Sequence, residues 1–334
     1  MMNRGEIQVM KIAFTKMHGA SNDYIYFDCT KEPGLTMLRE VDLPSLSERL
    51  SDRRRQVGGD GIILVCPSEV ADVRMRIFNA DGSEAEMCGN GIRCVGKFVY
   101  DQDIVEKDIL TIEAGVKNRA VKILELQVDE ARPVGDQVTG ATVDMGRAEV
   151  ELKRIPAEHG KLRFDQGEYD AESAAPEPFR EDGPFYTAGL LTDGEVLDYT
   201  LVSMGNPHAV TFLDGEAAGA EEAMDELMKL DLPKIGPQID FHPFFPERTN
   251  TEYVKLIGRK EVSMRVWERG SGETFACGTG ACAVAVASML TGRCDGEVLV
   301  HLRGGDLLIR RDEQTGHIFM TGPAETAFHG TVEI

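Results

Sequence analysis

Apolar and polar residues along this chain form short, turn-bounded runs that predict β-strands. Ile62–Val65, Leu110–Leu126 and Thr139–Asp144 are rich in β-branched residues and lie between glycine- or proline-containing turns. Val298–Leu302 and Leu307–Arg311 flank a pair of glycines, and this spacing predicts a hairpin.

Four other segments have the pattern of helices, and two of them share an unusual start. The segments are Ser45–Arg54, Gly91–Tyr100, Ala220–Leu230 and Gly280–Leu290. The second and the fourth each follow a Cys-Gly-x-Gly sequence, so glycine-rich turns are predicted at both helix starts.

The chain contains an internal repeat. Residues 73–91 match residues 262–280 without a gap, and the identical positions include the arginine, glutamate, cysteine and two glycines of each copy. A second similarity relates Lys16–Asp28 to Val202–Asp214, because in each a glycine and an asparagine come just before a β-rich run that ends in aspartate. The repeat is too long for a solenoid unit, so we expect two pseudo-symmetric domains produced by duplication.

The boundary between these domains is predicted at the proline- and glycine-containing break at 132–135. This gives an N-terminal half at 9–133 and a C-terminal half at 134–322, and we expect a last strand within 323–334 to return to the first half. Residues 157–183 are polar and acidic with little periodicity, which predicts an elaborated loop or a weakly ordered insert.

Charge and cysteine content restrict the partners and the compartment. A formal net charge of −21 argues against nucleic acid and anionic membranes as partners. The N-terminal segment is polar and does not resemble a secretory signal, and the apolar run Ala281–Leu290 is too short to span a bilayer. Seven cysteines, an odd number in a chain of 334 residues, suit a reducing cytoplasm.

Cys88 and Cys277 are the candidate reactive residues, since each precedes a predicted helix within the repeat. A helix N-terminus presents unpaired N–H groups, binds carboxylates and stabilises a thiolate. Lowering a thiol pKa from about 8.5 to about 7 needs roughly 2 kcal/mol, the upper limit of what one helix end supplies. We therefore expect the pKa values of the two thiols to be lowered just enough for them to act as bases. The other cysteines are interpreted as small buried apolar residues: Cys29, Cys66, Cys94, Cys282 and Cys294.

The two copies differ in their polar residues, as the binding of an asymmetric ligand requires. Asn79 lies nine residues before Cys88, and Glu268 with Arg269 occupies the equivalent place before Cys277. Glu268 is suited to an ammonium group and Arg269 to a carboxylate. Nucleotide-binding motifs, metal-ligand spacings and a context for a Schiff-base lysine are missing from the sequence, so chemistry without cofactor or metal is expected.

The chain resembles the diaminopimelate epimerase family over almost its whole length. The matching segments are Asn22–Tyr24, Gly59–Gly61, Phe78–Ser83, Cys88–Cys94, Gly205–His208, Glu268–Gly270 and Ala276–Cys282. The resemblance implies an α+β fold in which each of two domains rolls a mixed sheet around a central helix, with the active site between them. It also makes a homodimer plausible.

The resemblance further implies roles for individual residues. Cys88 and Cys277 look like the two acid/base groups, and His208 and Glu268 look like residues that tune them. The substrate-binding residues it implies are Asn22, Asn79, Gly89, Asn90, Asn206, Asn250, Glu268, Arg269, Gly278 and Thr279. Some family members carry a glutamine where Gly61 stands, so no binding role is carried over to that position. The insert and the polar leader before Met10 also depart from the family pattern.

The expected function is epimerisation of LL-diaminopimelate to meso-diaminopimelate, a step of lysine and peptidoglycan precursor synthesis, by two thiols acting on opposite faces of one α-carbon. Another two-thiol isomerase of the same fold, acting on proline or hydroxyproline, is the nearest alternative. A dithiol redox protein and a non-catalytic amino-acid-binding module are alternatives of other classes.

Overall fold

The computed structural model describes residues 10–116, 119–152, 154–155, 157, 163–164, 167–168, 176–179 and 183–334. Within these, the chain forms two compact units, unit 1 (10–143 with 322–334) and unit 2 (144–321). The chain leaves unit 1 ten residues later than the break at 132–135 suggested, because the strand that follows the break remains paired in unit 1. No helix of the described residues is long and apolar enough to cross a membrane.

The elements of the first half of the chain are β1 (Lys11–Gly19), β2 (Asn22–Asp28), α1 (Gly34–Glu40), α2 (Leu43–Leu50), β3 (Gly61–Cys66), β4 (Val73–Asn79), β5 (Glu84–Ala85), α3 (Gly89–Asp101), β6 (Ile109–Ala114), β7 (Ala120–Val128), β8 (Val138–Arg147), β9 (Arg163–Phe164), β10 (Gly167–Glu168) and β11 (Pro176–Phe179). Those of the second half are β12 (Gly183–Thr192), β13 (Glu195–Ser203), β14 (Pro207–Glu216), α4 (Ala220–Leu227), α5 (Leu232–Asp240), β15 (Asn250–Gly258), β16 (Glu261–Glu268), β17 (Gly272–Thr274), α6 (Gly278–Leu290), β18 (Glu297–Leu302), β19 (Gly305–Arg311), β20 (His317–Pro323) and β21 (Glu325–Glu333).

Unit 1 is a mixed sheet that surrounds one helix. β1 pairs antiparallel with β2 and β21, β2 is parallel to β3, β3 is antiparallel to β4, and β4 is parallel to β6, which continues antiparallel into β7 and β8. α3 packs against β1, β2, β3 and β7, and its residues from Gly89 to Val99 are buried. The helix has no solvent face, so its buried polar residues are paired inside the protein: Arg93 donates to Asn90 Oδ1 and to the Gly89 carbonyl, and Lys97 pairs with Asp101 and Asp136.

Unit 2 repeats this order of pairings. β13 is antiparallel to β14, β14 is parallel to β15, β15 is antiparallel to β16, and β16 is parallel to β18, which continues antiparallel into β19 and β20. α6 packs against β13, β14, β15, β16, β18 and β19, and most of its residues are buried. Each unit is therefore a mixed sheet around a central helix, and the α+β fold expected from the sequence is confirmed.

The internal repeat corresponds to the same structure in both units. In each copy a strand and a short partner strand lead to a helix of 13 residues. The identical arginine and glutamate form equivalent bidentate ion pairs, Arg76 with Glu84 at 2.7 Å and Arg265 with Glu273 at 2.9 Å. These pairs join the two strands just before the cysteine turn, which explains why both copies carry the same residues there.

The segment 157–183 was predicted to be an elaborated loop or a weakly ordered insert, and its described residues include short strands. β9 pairs with β10, and β11 pairs antiparallel with β12. The remainder of the segment and the leader before Met10 lie outside the described residues, so the expectations for them stay predictions.

Candidate active site

Cys88 is the N-cap residue of α3 and lies in unit 1. Its backbone is extended, with φ −135° and ψ 115°, and its sulfur accepts a hydrogen bond from the Gly91 N–H at 3.3 Å. The Sγ–H group donates to Asn22 Oδ1 at 3.1 Å. Cys88 as a residue is half-buried.

Asn22 is held in place by a network of charged residues at the start of β2. Its Nδ2 donates to Asp60 Oδ2 at 2.6 Å, and the Asp23 N–H donates to the same oxygen at 3.0 Å. Arg53 bridges Asp60 and Asp23, and Lys16 pairs with Asp23 at 2.6 Å. The Asn22 amide is thereby oriented with its carbonyl oxygen toward Cys88.

The other predicted residues of unit 1 lie in the flanking turns. Asn90 is buried and its Oδ1 accepts from Arg93 at 3.0 Å, while Arg93 also donates to the Gly89 carbonyl. Asn79, at the end of β4, donates from Nδ2 to Ser83 Oγ at 3.0 Å. The structure thus places Gly89 and Asn90 in the first turn after Cys88, and Asn79 in the turn before it.

Cys277 is the N-cap residue of α6 and has the same local geometry in unit 2. Its φ is −128° and its ψ is 111°, and its sulfur accepts from the Gly280 N–H at 3.3 Å. Thr279 Oγ1 lies 3.5 Å from this sulfur. Cys277 is more buried than Cys88, with 6% of its surface exposed.

A buried chain of hydrogen bonds lies beside Cys277. His208 Nδ1 is 2.6 Å from Glu252 Oε1, and His208 Nε2 is 3.1 Å from Asn206 Oδ1. Asn206 Nδ2 in turn donates to Thr279 Oγ1 at 3.3 Å. The predicted residues Asn206, His208 and Thr279 are therefore brought together with Cys277 in unit 2.

The remaining predicted residues lie at the end of β16 and the start of β15. Glu268 Oε1 accepts from Thr274 Oγ1 at 2.5 Å. Arg269 donates its backbone N–H to Asn250 Oδ1 at 2.9 Å and its Nη1 to the Glu247 carbonyl at 2.9 Å. Asn250 is buried, and its side chain fixes the backbone that carries Arg269.

The thiols are less acidic than the sequence led us to expect. Burial raises the pKa of Cys88 above its ordinary value, although the N–H groups of Gly91 and Asn90 and the hydroxyl of Tyr24 act in the opposite direction. Burial raises the pKa of Cys277 well above its ordinary value, and the negative charges of Glu268 and Glu252 raise it further. The expectation of lowered thiol pKa values was wrong because desolvation outweighs the helix N-terminus.

The surroundings of the two sulfurs also differ in charge. The positive charge of Arg93 favours the thiolate of Cys88, whereas two carboxylates oppose the thiolate of Cys277. Burial also raises the pKa of Glu268, partly offset by the hydrogen bond from Thr274.

Tyr24, Arg93 and Glu252 were not recognised from the sequence as part of the site. Tyr24 lies within the matching segment Asn22–Tyr24, and Arg93 lies within the matching segment Cys88–Cys94. Glu252 is a carboxylate inside a buried strand and is 0% exposed, and a charge in such a position is a signal that functional residues often give.

Comparison with known proteins adds the family context. A family model described as "Diaminopimelate epimerase" matches residues 14–150 and 200–327. The chain is 46% identical over 320 residues to a diaminopimelate epimerase of Desulfovibrio desulfuricans, covering 96% of this chain and 97% of that protein. It is 45% identical over 322 residues to a diaminopimelate epimerase of Agathobacter rectalis, covering 96% and 99%.

Solved structures share the fold at low sequence identity. A hydroxyproline epimerase of Agrobacterium vitis with bound trans-4-hydroxy-L-proline superimposes with a TM-score of 0.60 and 14% identity, covering 98% of this chain and 93% of that chain. At this identity the likeness shows the fold alone.

Proposed function

Because the chain belongs to the diaminopimelate epimerase family, we propose that it interconverts LL- and meso-diaminopimelate with Cys88 and Cys277 as its two acid/base groups. The observation that carries this assignment is the matched position of the two sulfurs. Each caps a glycine-rich helix start and accepts an N–H bond of 3.3 Å from the third residue after it.

In the proposed reaction, one thiolate removes the α-proton and the other thiol donates a proton to the opposite face of the same carbon. The reverse reaction exchanges the two roles, so exactly one sulfur has to be protonated at the start of each turnover. The raised thiol pKa values do not prevent this, because a less acidic thiol gives a more strongly basic thiolate.

The α-proton of an amino acid is a very weak acid, so most of the barrier has to be lowered by groups that stabilise the developing negative charge. We assign this task to the first-turn N–H groups at Gly89 and Asn90 and at Gly278 and Thr279, where a carboxylate is favoured by the helix end. The enclosed position of Cys277 supports a reaction from which water is excluded.

Polar side chains around the two cysteines are suited to the substrate's two amino-acid ends. We assign carboxylate recognition to Arg269 and ammonium recognition to Glu268, and we assign the orientation of the substrate to the amides of Asn22, Asn79, Asn206 and Asn250. His208 is assigned a tuning role, since it is buried among the partners of Cys277. The scheme uses no cofactor and no metal, and we place it in the cytoplasm.

The test is deuterium incorporation at the α-carbon of LL-diaminopimelate in heavy water, followed by separation of the stereoisomers. The wild-type protein should incorporate deuterium and form the meso isomer, whereas Cys88→Ser and Cys277→Ser should each abolish inversion. Cys294→Ser is the matched control, because Cys294 is a buried thiol of unit 2 that donates to the Gly258 carbonyl. Inversion by either site variant at a near wild-type rate contradicts the two-thiol scheme.

Proline should not be inverted under the same conditions, which separates this proposal from a proline-type isomerase. An amino-acid-binding module would bind diaminopimelate without any exchange of its α-proton. A dithiol redox protein would form a Cys88–Cys277 bond without reductant, and mass spectrometry of the intact protein would detect that bond.

A further inference from the structure

The two units carry different residues at one equivalent buried position. In each unit, the residue at this position contacts the cysteine turn of the same unit. Ile63 of β3 lies opposite Tyr26, and Glu252 of β15 lies opposite Val210, at equivalent points of the two parallel strand pairs. A Cβ atom on Gly91 would lie 2.7 Å from Ile63 Cδ1, and one on Gly280 would lie 2.8 Å from Glu252 Oε1. The end of each of these two side chains therefore lies against the glycine whose N–H group donates to the cysteine sulfur of that unit.

Glu252 is an unusual residue to find at such a place. It is 0% exposed, and its Oε1 is engaged by His208 at 2.6 Å. Its Oε2 has no hydrogen-bond partner among the residues that the structure describes. Burying a carboxylate with an unsatisfied oxygen costs stability, so a role in the reaction is a better explanation than a role in folding.

We propose that Glu252 is a positioning residue that fixes the imidazole of His208 and places a buried negative charge beside Cys277, so that Cys277 keeps its proton while Cys88 ionises first. This inference rests on the proposed two-thiol function and assigns the two thiols unequal starting states. Unit 1 has the uncharged Ile63 at the equivalent position, so the asymmetry is built into the duplicated scaffold.

The charged and titratable groups around each sulfur agree with this assignment. Around Cys277 they are His208 from β14, Glu252 from β15 and Glu268 from β16, and α6 adds the neutral hydroxyl of Thr279. Around Cys88, β2 supplies Tyr24 and the amide of Asn22, and α3 supplies the positive charge of Arg93. Two carboxylates therefore oppose ionisation of the Cys277 thiol in unit 2, whereas in unit 1 the Asp60 carboxylate, joined to Cys88 through Asn22, is paired with Arg53.

The pH profile of kcat/KM tests the proposal, because turnover needs one thiol and one thiolate. The acidic limb of the profile then reports the first ionisation of the two thiols, and the basic limb reports the second. Both apparent pKa values belong to the coupled pair of thiols. We expect Glu252→Gln to move the basic limb to lower pH by about one unit, since a nearby like charge is removed. The acidic limb should stay in place.

Two further variants separate charge from structure. Glu252→Asp keeps the charge and should keep the basic limb near its wild-type position. Glu113→Gln removes another buried carboxylate, which binds Ser68 in unit 1, and should leave both limbs unchanged. A uniform loss of kcat in Glu252→Gln with both limbs unmoved would overturn the proposal, and so would a shift of the acidic limb instead.

A measurement without substrate keeps the inference distinct from the proposed function. In a Cys88→Ala background, the rate at which iodoacetamide alkylates Cys277 is followed against pH by peptide mass spectrometry. Adding Glu252→Gln should lower the midpoint of this curve by about one unit. An unchanged midpoint refutes the role of Glu252, whereas a lowered midpoint in a protein that does not epimerise diaminopimelate refutes only the proposed function.

Discussion

Alanine at Gly91 and at Gly280 is the same substitution at equivalent points of the repeat, and the structure predicts different outcomes. The new methyl group would meet Ile63 Cδ1 at 2.7 Å in unit 1 and Glu252 Oε1 at 2.8 Å in unit 2. Since ordinary contact begins near 3.4 Å, each neighbour has to withdraw by about 0.6–0.7 Å. What differs is how firmly each neighbour is held.

In unit 1 the obstacle is the apolar end of a side chain. Overpacking of a core costs about 1–3 kcal/mol, and replacing glycine by alanine in a helix returns about 0.5–1 kcal/mol. We therefore expect Gly91→Ala to lower the free energy of unfolding by about 0–2.5 kcal/mol. Adding Ile63→Val, which deletes the obstructing methyl group, should recover part of this loss.

In unit 2 the obstacle is a carboxylate oxygen bound to His208 at 2.6 Å. Displacing it also breaks a buried, charge-assisted hydrogen bond worth about 1.5–3 kcal/mol. Gly280→Ala should therefore lower the free energy of unfolding by about 1.5–5.5 kcal/mol, more than its counterpart in unit 1.

The assay is urea unfolding of both variants, with the midpoints compared at an unchanged slope. Activity of the same preparations gives a second readout, because the displaced carboxylate should also disturb His208. If Gly280→Ala proved no more destabilising than Gly91→Ala, the hydrogen bond between His208 and Glu252 would not restrain the Glu252 carboxylate, and the reasoning would be refuted.

Two further predictions concern charged groups away from the cysteines. Arg265 is nearly buried and donates to Glu273 and to the Leu227 carbonyl, so Arg265→Ala should lower the free energy of unfolding by about 3–5 kcal/mol. Arg76→Ala, at the more exposed equivalent pair, should lower it by about 1–2 kcal/mol. Equal losses of the two variants in urea unfolding would contradict this prediction. Burial acts to lower the pKa of His301, but its bonds to Asp306 and Glu261 outweigh burial and raise it. The wild-type protein should therefore have a higher free energy of unfolding than His301→Gln below about pH 6.5, and this difference should decline as pH rises through the raised pKa. A difference that grows with pH would show that the pKa of His301 is lowered instead.

The parts of the fold that the sequence made predictable are those with a strong local pattern. The helices after the cysteines and the hairpin of β18 and β19 follow the predicted segments closely. α5 was missed because it contains prolines near its start and at Pro237, which sequence reasoning treats as helix breakers. The predicted helix at Ser45–Arg54 begins earlier and ends at Leu50 in the structure.

The candidate site was predictable as far as the repeat reached. The two cysteines and the glycines after them stand out in the sequence because they recur at equivalent places, whereas Asn250 and His208 were indicated by the family resemblance. The partnership of Glu252 with His208 was not predictable, since it joins neighbouring parallel strands 44 residues apart. The direction of the thiol pKa shifts also depends on burial, which the sequence does not supply.

The pairing of β1 with β21 has a consequence for biosynthesis. β1 finds one of its neighbours only in β21, and the chain of unit 2 lies between the two strands in the sequence. During translation, the whole sequence of unit 2 is made while the edge of β1 that pairs with β21 is still unpaired. A nascent chain stalled before residue 322 would therefore leave that edge open to other strands, and the synthesis of β21 is the event that closes it.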